Sequence, residues 1–173
     1  MATKTLTGNV IAQIDWSYEN ADDHSTAKDA DRLKFTQDLD SGTAAGEVEI
    51  LFKDRRSVGA STTTEDLDLA GVLGDIYGAT LTFTKVKGIM IINRATTATD
   101  VIKIGGGGSG NNAWGTPFDG SQDAKITLQP ESAFLLGMNQ GLTVTAGTGD
   151  KLRITYAGTS GSITYDVVIL GND

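Results

Sequence analysis

The sequence predicts an all-β protein: an antiparallel, jelly-roll-like β-sandwich with an extended polar N-terminal arm. Three observations predict it. Runs in which every second residue is apolar follow one another through the C-terminal half, separated by glycine turns at roughly ten-residue spacing. Glycine is abundant at 22 residues and proline scarce at 2, which implies many tight turns and little polyproline linker. Aromatic residues make up only 6%, so Val, Ile and Leu on pleated surfaces must fill the core.

Taken in order, residues 5–16 place Val10, Ala12 and Ile14 at period two, a short strand ending near Asp15 and Trp16. From Ser17 to Asp31 almost nothing apolar remains beyond alanine. A segment that cannot bury enough surface to order itself is expected to be an exposed loop, or an arm that needs a neighbour. Leu33, Phe35 and Leu39 resume an alternation that Asp40, Ser41 and Gly42 close. Between Gly46 and Asp54, Val48, Ile50 and Phe52 share one face and Glu47, Glu49 and Lys53 the other, a half-buried strand. Leu67 and Leu69 alternate with Asp66 and Asp68 before Gly71, Gly74 and Gly78, which predicts a strand followed by one turn of helix.

Ala79–Arg94 is the longest apolar-patterned run, and the rest of the chain is expected to pack around it. Leu81 and Phe83 alternate with threonines; the phase slips between Lys85 and Gly88, and Ile89, Met90, Ile91 and Ile92 follow without a polar face. A bulge or kink there would join a half-exposed strand to one covered on both sides. Ile102 and Ile104 form a short strand ending in Gly105–Gly108, and the loop that follows is long enough to be functional or mobile. Five strands are then expected: Ala124–Leu128, Phe134–Met138, Leu142–Ala146, Leu152–Tyr156 and Ile163–Ile169, with a turn at Asn139–Gly141 between the second and third. The chain divides into an N-terminal strand and polar arm, 1–45, and a sandwich domain, 46–173.

The totals restrict function. With 173 residues, 39% hydrophobic, the chain forms one domain with a real core. The 14 basic and 22 acidic residues leave a net charge of -8, the wrong sign for wrapping a phosphate backbone, so no nucleic-acid partner is expected. Having no cysteine, the protein has no disulfide, thiolate metal site or cysteine nucleophile. No run reaches the ~18 apolar residues of a membrane span and MATKTLTGNV lacks a signal-peptide pattern, so a soluble chain made in a cytoplasm, with no membrane partner, is expected.

Candidate chemistry is sparse. The one histidine, His24, lies in the polar segment beside Asp22, Asp23 and Ser25, where neighbouring side chains on an extended backbone point apart and make a poor metal or nucleophile site. Asp66–Gly71 imitates the opening of a calcium loop, but Ala70 fills a ligand place and Tyr77 stands where the bidentate Glu belongs. The glycine run before Asn111 lacks the Lys and following helix of a phosphate loop. Neither catalytic, cofactor nor metal residues are assigned, and an enzyme is not expected. Two groups are candidate contact sites. Trp114, with Asn111, Asn112, Phe118 and Asp119, has the parts of a glycan platform, though an aromatic plug over the sandwich end, or a dock on a neighbouring subunit, is the preferred reading. Lys53, Arg55 and Arg56 form the basic cluster, a solvated strand end or a contact for an acidic patch on a partner subunit.

The run DLDLAGVLGDIYGATLTFTKVKGIMIINRA, with VIKIGGG, WGTPFDGSQDAKITLQPESAFLL and DKLRITYAGTSGSITYDVVILG, resembles small virion proteins of tailed bacteriophages. The resemblance runs from near Gly46 to the C-terminus. It implies a jelly-roll subunit on the capsid exterior, a decoration or cement protein, trimeric, partnered by the major capsid protein and free of cofactors. The alternative is a tail-tip or fibre-associated module that recognises host glycans through the Trp114 loop.

Overall fold

The computed structural model describes residues 5–173 apart from positions 22, 61 and 160 and the side chain of Ser109. The described residues form eleven strands: β1 (Gly8–Ala21), β2 (Thr26–Ser41), β3 (Glu47–Val48), β4 (Ile50–Gly59), β5 (Thr64–Asp68), β6 (Lys85–Asn93), β7 (Ile102–Ile104), β8 (Ile126–Leu128), β9 (Ala133–Thr143), β10 (Lys151–Tyr156) and β11 (Ser162–Asn172). Two four-stranded sheets, β4-β11-β6-β9 and β5-β10-β7-β8, make an antiparallel sandwich, and β1-β2-β3 form a third sheet. The pairing is nested: β4 with β11, β5 with β10, β6 with β9 and β7 with β8. The chain thus doubles back on itself at the β7–β8 loop, and each outer pair lies across the one before it.

Alternation decides what is buried. In β11, Ile163, Tyr165, Val167 and Ile169 enter the core, and in β10 Leu152, Ile154 and Tyr156 come from the facing sheet to meet them. At roughly 1.5–3 kcal/mol per fully buried large apolar side chain, such rows dominate the stability of the body. β6 lies between β11 and β9, with its register shifts at Val86/Gly88 and, opposite, at Leu170/Gly171. The slip in phase at Lys85–Gly88 is a bulge, and the central place expected for this run is the observed one. Leu81 and Phe83 are buried but precede the strand, tied instead to the carbonyls of Leu73 and Leu69 at 2.7 Å each.

Polar groups knit the layers where the apolar rows end. Tyr165 donates its hydroxyl to Glu65 at 2.6 Å, and Arg56 donates Nε to the same carboxylate, so one acid on β5 ties down two residues of the opposite sheet. Desolvation, then the adjoining Glu65, pushes the Tyr165 hydroxyl well above the ordinary phenol range. At the other end Asp100 accepts from the Tyr156 hydroxyl at 3.0 Å, while Asn93 donates to the Asp100 carbonyl at 2.9 Å. Lys87, 1% exposed, donates to the Ala44 carbonyl and so fixes the turn after β2; its desolvation pulls the ammonium below the usual lysine range.

Three expectations need correction. The stretch Ser17–Asp31 is exposed but is not an irregular loop over most of its length: β1 continues to Ala21 and pairs with β2 from Gly8↔Leu39 to Ala21↔Thr26. Ladder hydrogen bonds and cross-strand ion pairs order it where apolar burial cannot. After β5 there is no helical turn; Asp75 instead accepts from the backbone N–H groups of Tyr77 and Ala79, a tight loop around Gly78. Asn139–Gly141 does not reverse the chain. β9 runs through it as an outward bulge, because the Asn139 carbonyl accepts from Gly46 and Gly141, at φ 77°, lets the backbone rejoin β6 at Leu142↔Val86.

Candidate interaction surface

Register makes the β1–β2 ribbon two-faced. One face carries Val10, Ala12, Ile14, Trp16 and Tyr18 from β1, opposite Gln37, Phe35, Leu33, Asp31 and Asp29 from β2. The other carries Gln13, Asp15, Glu19, Arg32 and Lys28, where Arg32 meets Asp15 at 2.5 Å and Lys28 meets Glu19 at 2.6 Å. Arg32, and then Gln13, holds the Asp15 carboxyl below the usual carboxylate range. Cations of the ribbon therefore serve the polar face, and among the described residues neither Asp29 nor Asp31 has an ion-pair partner.

Only the base of the apolar face is covered. Val10 and Leu39 are buried with Val48, Leu135 and Leu170, and Val10 sits over Gly88 and Gly137, whose missing side chains leave it room. Farther out Ile14, Trp16, Tyr18, Leu33 and Phe35 are between 40% and 72% exposed. An exposed apolar face of this size, with Asp31 and Asp29 at its outer end, is what an interaction site looks like. A lone two-stranded ribbon is at best marginally stable in water, and the outer half of this one leaves its apolar side chains exposed.

The sheet beneath the ribbon base presents its own graded surface. Its outward side runs in rows: Leu51, Leu170, Gly88 and Gly137; then Lys53, Val168, Met90 and Leu135; then Arg55, Asp166, Ile92 and Ala133. Val168 and Met90 are each 37% exposed. Asp166 accepts from Arg55 at 2.6 Å and Arg94 at 2.7 Å, and these guanidiniums, Arg55 foremost, hold its carboxyl down to about 2. Lys53 has no ion-pair partner among the described residues, so this rim is positive on a protein whose net charge is -8.

The sequence-predicted sites fare differently. Alternation splits the basic cluster: Lys53 and Arg55 face outward beside Asp166, while Arg56 turns to Glu65 and Asp54 at the sandwich edge. Trp114 is a plug and offers no platform. It is 2% exposed, lies in the main core and donates Nε1–H to the Thr143 carbonyl at 2.7 Å, so neither ring face is open to a glycan. Asn112 and Asp119 take positive φ values of 55° to turn the chain around it, and the half-buried Phe118 packs where Gly105 has no side chain. The exposed Asn111 donates to the Gly107 carbonyl and braces the loop. His24 is exposed, and Asp22 lies outside the described residues. Among the described residues no group of three His, Cys, Asp or Glu is placed to hold a metal ion, and no helix is long and apolar enough to cross a membrane.

Sequence reasoning missed the ribbon because it reads one strand at a time. The signal was present in Ile14, Trp16, Tyr18, Leu33 and Phe35, all at period two, once the two runs are folded against each other. Comparison of the chain with family models, curated proteins and solved structures returned no match.

Proposed function

We propose that this protein is a virion assembly subunit of a tailed bacteriophage, a decoration protein that binds and stabilises the major capsid shell. The carrying observation is the ribbon: a long, ordered, two-stranded projection with an apolar outer face, a shape that serves gripping and no turnover. The nested order β4-β11-β6-β9 over β5-β10-β7-β8 supports an eight-stranded jelly roll, the fold that the resemblance to phage virion proteins implies. A second projection fits the same role. Val72, Ile76 and Tyr77 are 71%, 65% and 75% exposed on a loop that Asp75 holds rigid, giving the body an apolar contact away from the ribbon. The glycan-binding alternative loses its main residue with the burial of Trp114.

The experiment is co-sedimentation with purified capsids stripped of decoration subunits. Full-length protein should pellet with them. A variant in which Ile11–Thr36 is replaced by an Asn-Gly turn keeps the Val10↔Gln37 closure; it should fold and melt as a sandwich yet bind more weakly. Full-length protein that stays in the supernatant at every concentration would end the capsid reading. Undiminished binding by the shortened variant would remove the ribbon from it.

A further inference from the structure

We infer that the outer half of the β1–β2 ribbon docks on the outward side of the β4-β11-β6-β9 sheet of a second copy of this chain. Continuity argues for it. This same ribbon face already packs on this same sheet at its base, where Val10 fills the slot above Gly88 and Gly137. Both surfaces then continue uncovered, the ribbon outward from the body and the sheet onward through Val168, Met90 and Ile92.

Charge order agrees. Moving away from the base, the ribbon face is apolar through Phe35, Ile14 and Leu33 and then acidic at Asp31 and Asp29. Moving away from the slot, the sheet carries Val168 and Met90 in a row with Lys53 and then turns cationic at Arg55 and Arg94, which share the carboxylate of Asp166. Laid in the same sense, the ribbon's Asp29 and Asp31, which accept from Trp16 Nε1 and from the Arg32 backbone N–H and have no ion-pair partner among the described residues, fall on the rim that has positive charge to spare.

The area is sufficient. Five ribbon side chains at 40–72% exposure bring on the order of 600 Å² from one partner and about 1,200 Å² from both, the lower bound for a specific interface. Because each copy carries both a ribbon and a sheet, every copy gives one contact and receives one, and a closed homo-oligomer satisfies all of them. The inference shares with the capsid reading only the view that the ribbon is an assembly element.

Light scattering on the free, full-length protein, with no capsid present, tests it. Wild type should run as one discrete oligomer at micromolar concentration. Leu33→Glu, which removes an exposed ribbon contact, and Val168→Glu, which spoils the sheet, should each raise the dissociation midpoint by tenfold or more. Mixed in equal amounts the two should form a 1:1 complex, since one keeps the sheet and the other the ribbon. Should Val168→Glu fail to fold, Arg94→Glu replaces it, with Asp31→Arg expected to restore association. Wild type that is monomeric at about 100 μM, an oligomer indifferent to Leu33→Glu, or a mixture without complex would each overturn the inference. A monomer that still pellets with capsids would leave the decoration reading standing and reassign the ribbon to the shell.

Discussion

Replacing Trp114 by alanine separates a structural tryptophan from a ligand platform. The indole is 2% exposed within the main core, so its loss opens a cavity that the surrounding strands can only partly close. For a buried aromatic this costs about 3–5 kcal/mol. The hydrogen-bond contribution is small, because the Thr143 carbonyl that accepts from Nε1 also accepts from the Thr116 hydroxyl at 3.0 Å and stays satisfied. Trp114→Phe, which keeps a ring and loses that bond, should therefore cost only about 1–2 kcal/mol. In a chain of this length each kcal/mol moves the melting temperature by about 2–4 °C, so the alanine variant should melt roughly 6–20 °C lower. Urea unfolding followed by far-ultraviolet circular dichroism reads the difference without relying on the fluorophore being changed. Equal midpoints for wild type and Trp114→Ala would refute the plug, most decisively if a glycan-binding activity vanished at the same time.

Further outcomes follow from the polar ties and the ribbon seat. Tyr165→Phe strips a buried hydroxyl from Glu65, which keeps Arg56, and should lower stability by about 1–2 kcal/mol in urea titration. In wild type the raised phenol contributes stability below the unfolded tyrosine value of about 10 and loses it as pH rises further, so ultraviolet titration should show Tyr165 ionising only with unfolding. The Asp166 carboxyl, held at about 2, works in the opposite sense. Its contribution is present above the unfolded value of about 3.9 and fades as pH falls toward 2; Asp166→Asn should flatten the acid limb of melting temperature against pH, more so at low salt. At Gly137 an added Cβ would lie 2.9 Å from Val10 Cγ1, so Gly137→Val should unseat the ribbon base. Limited proteolysis should then cut β1 or β2 much faster, while the unfolding free energy of the body in urea falls by less than about 1 kcal/mol.

The sequence by itself determined the class of fold, the sign of the charge and most strand positions. Val, Ile and Leu at every second place can bury one face only as strands, and Ile163 to Ile169 or Leu152 to Tyr156 need no partner to say so. It also marked the bulge before Ile89, where the period breaks. What the period does not carry is an address: it tells which face of β11 is greasy and nothing of its lying between β4 and β6, the first of them more than a hundred residues away, as the pairing Val167↔Asp54 shows. Tertiary structure alone decided that Trp114 is enclosed, that Arg55 and Arg56 part to opposite sides of an edge strand, and that Asn139–Gly141 bulges without turning. It decided the ribbon as well. Ser17–Asp31 is too polar to order itself residue by residue, but cross-strand pairing needs only backbone groups and matched charges, and it gathers five scattered apolar side chains into one surface.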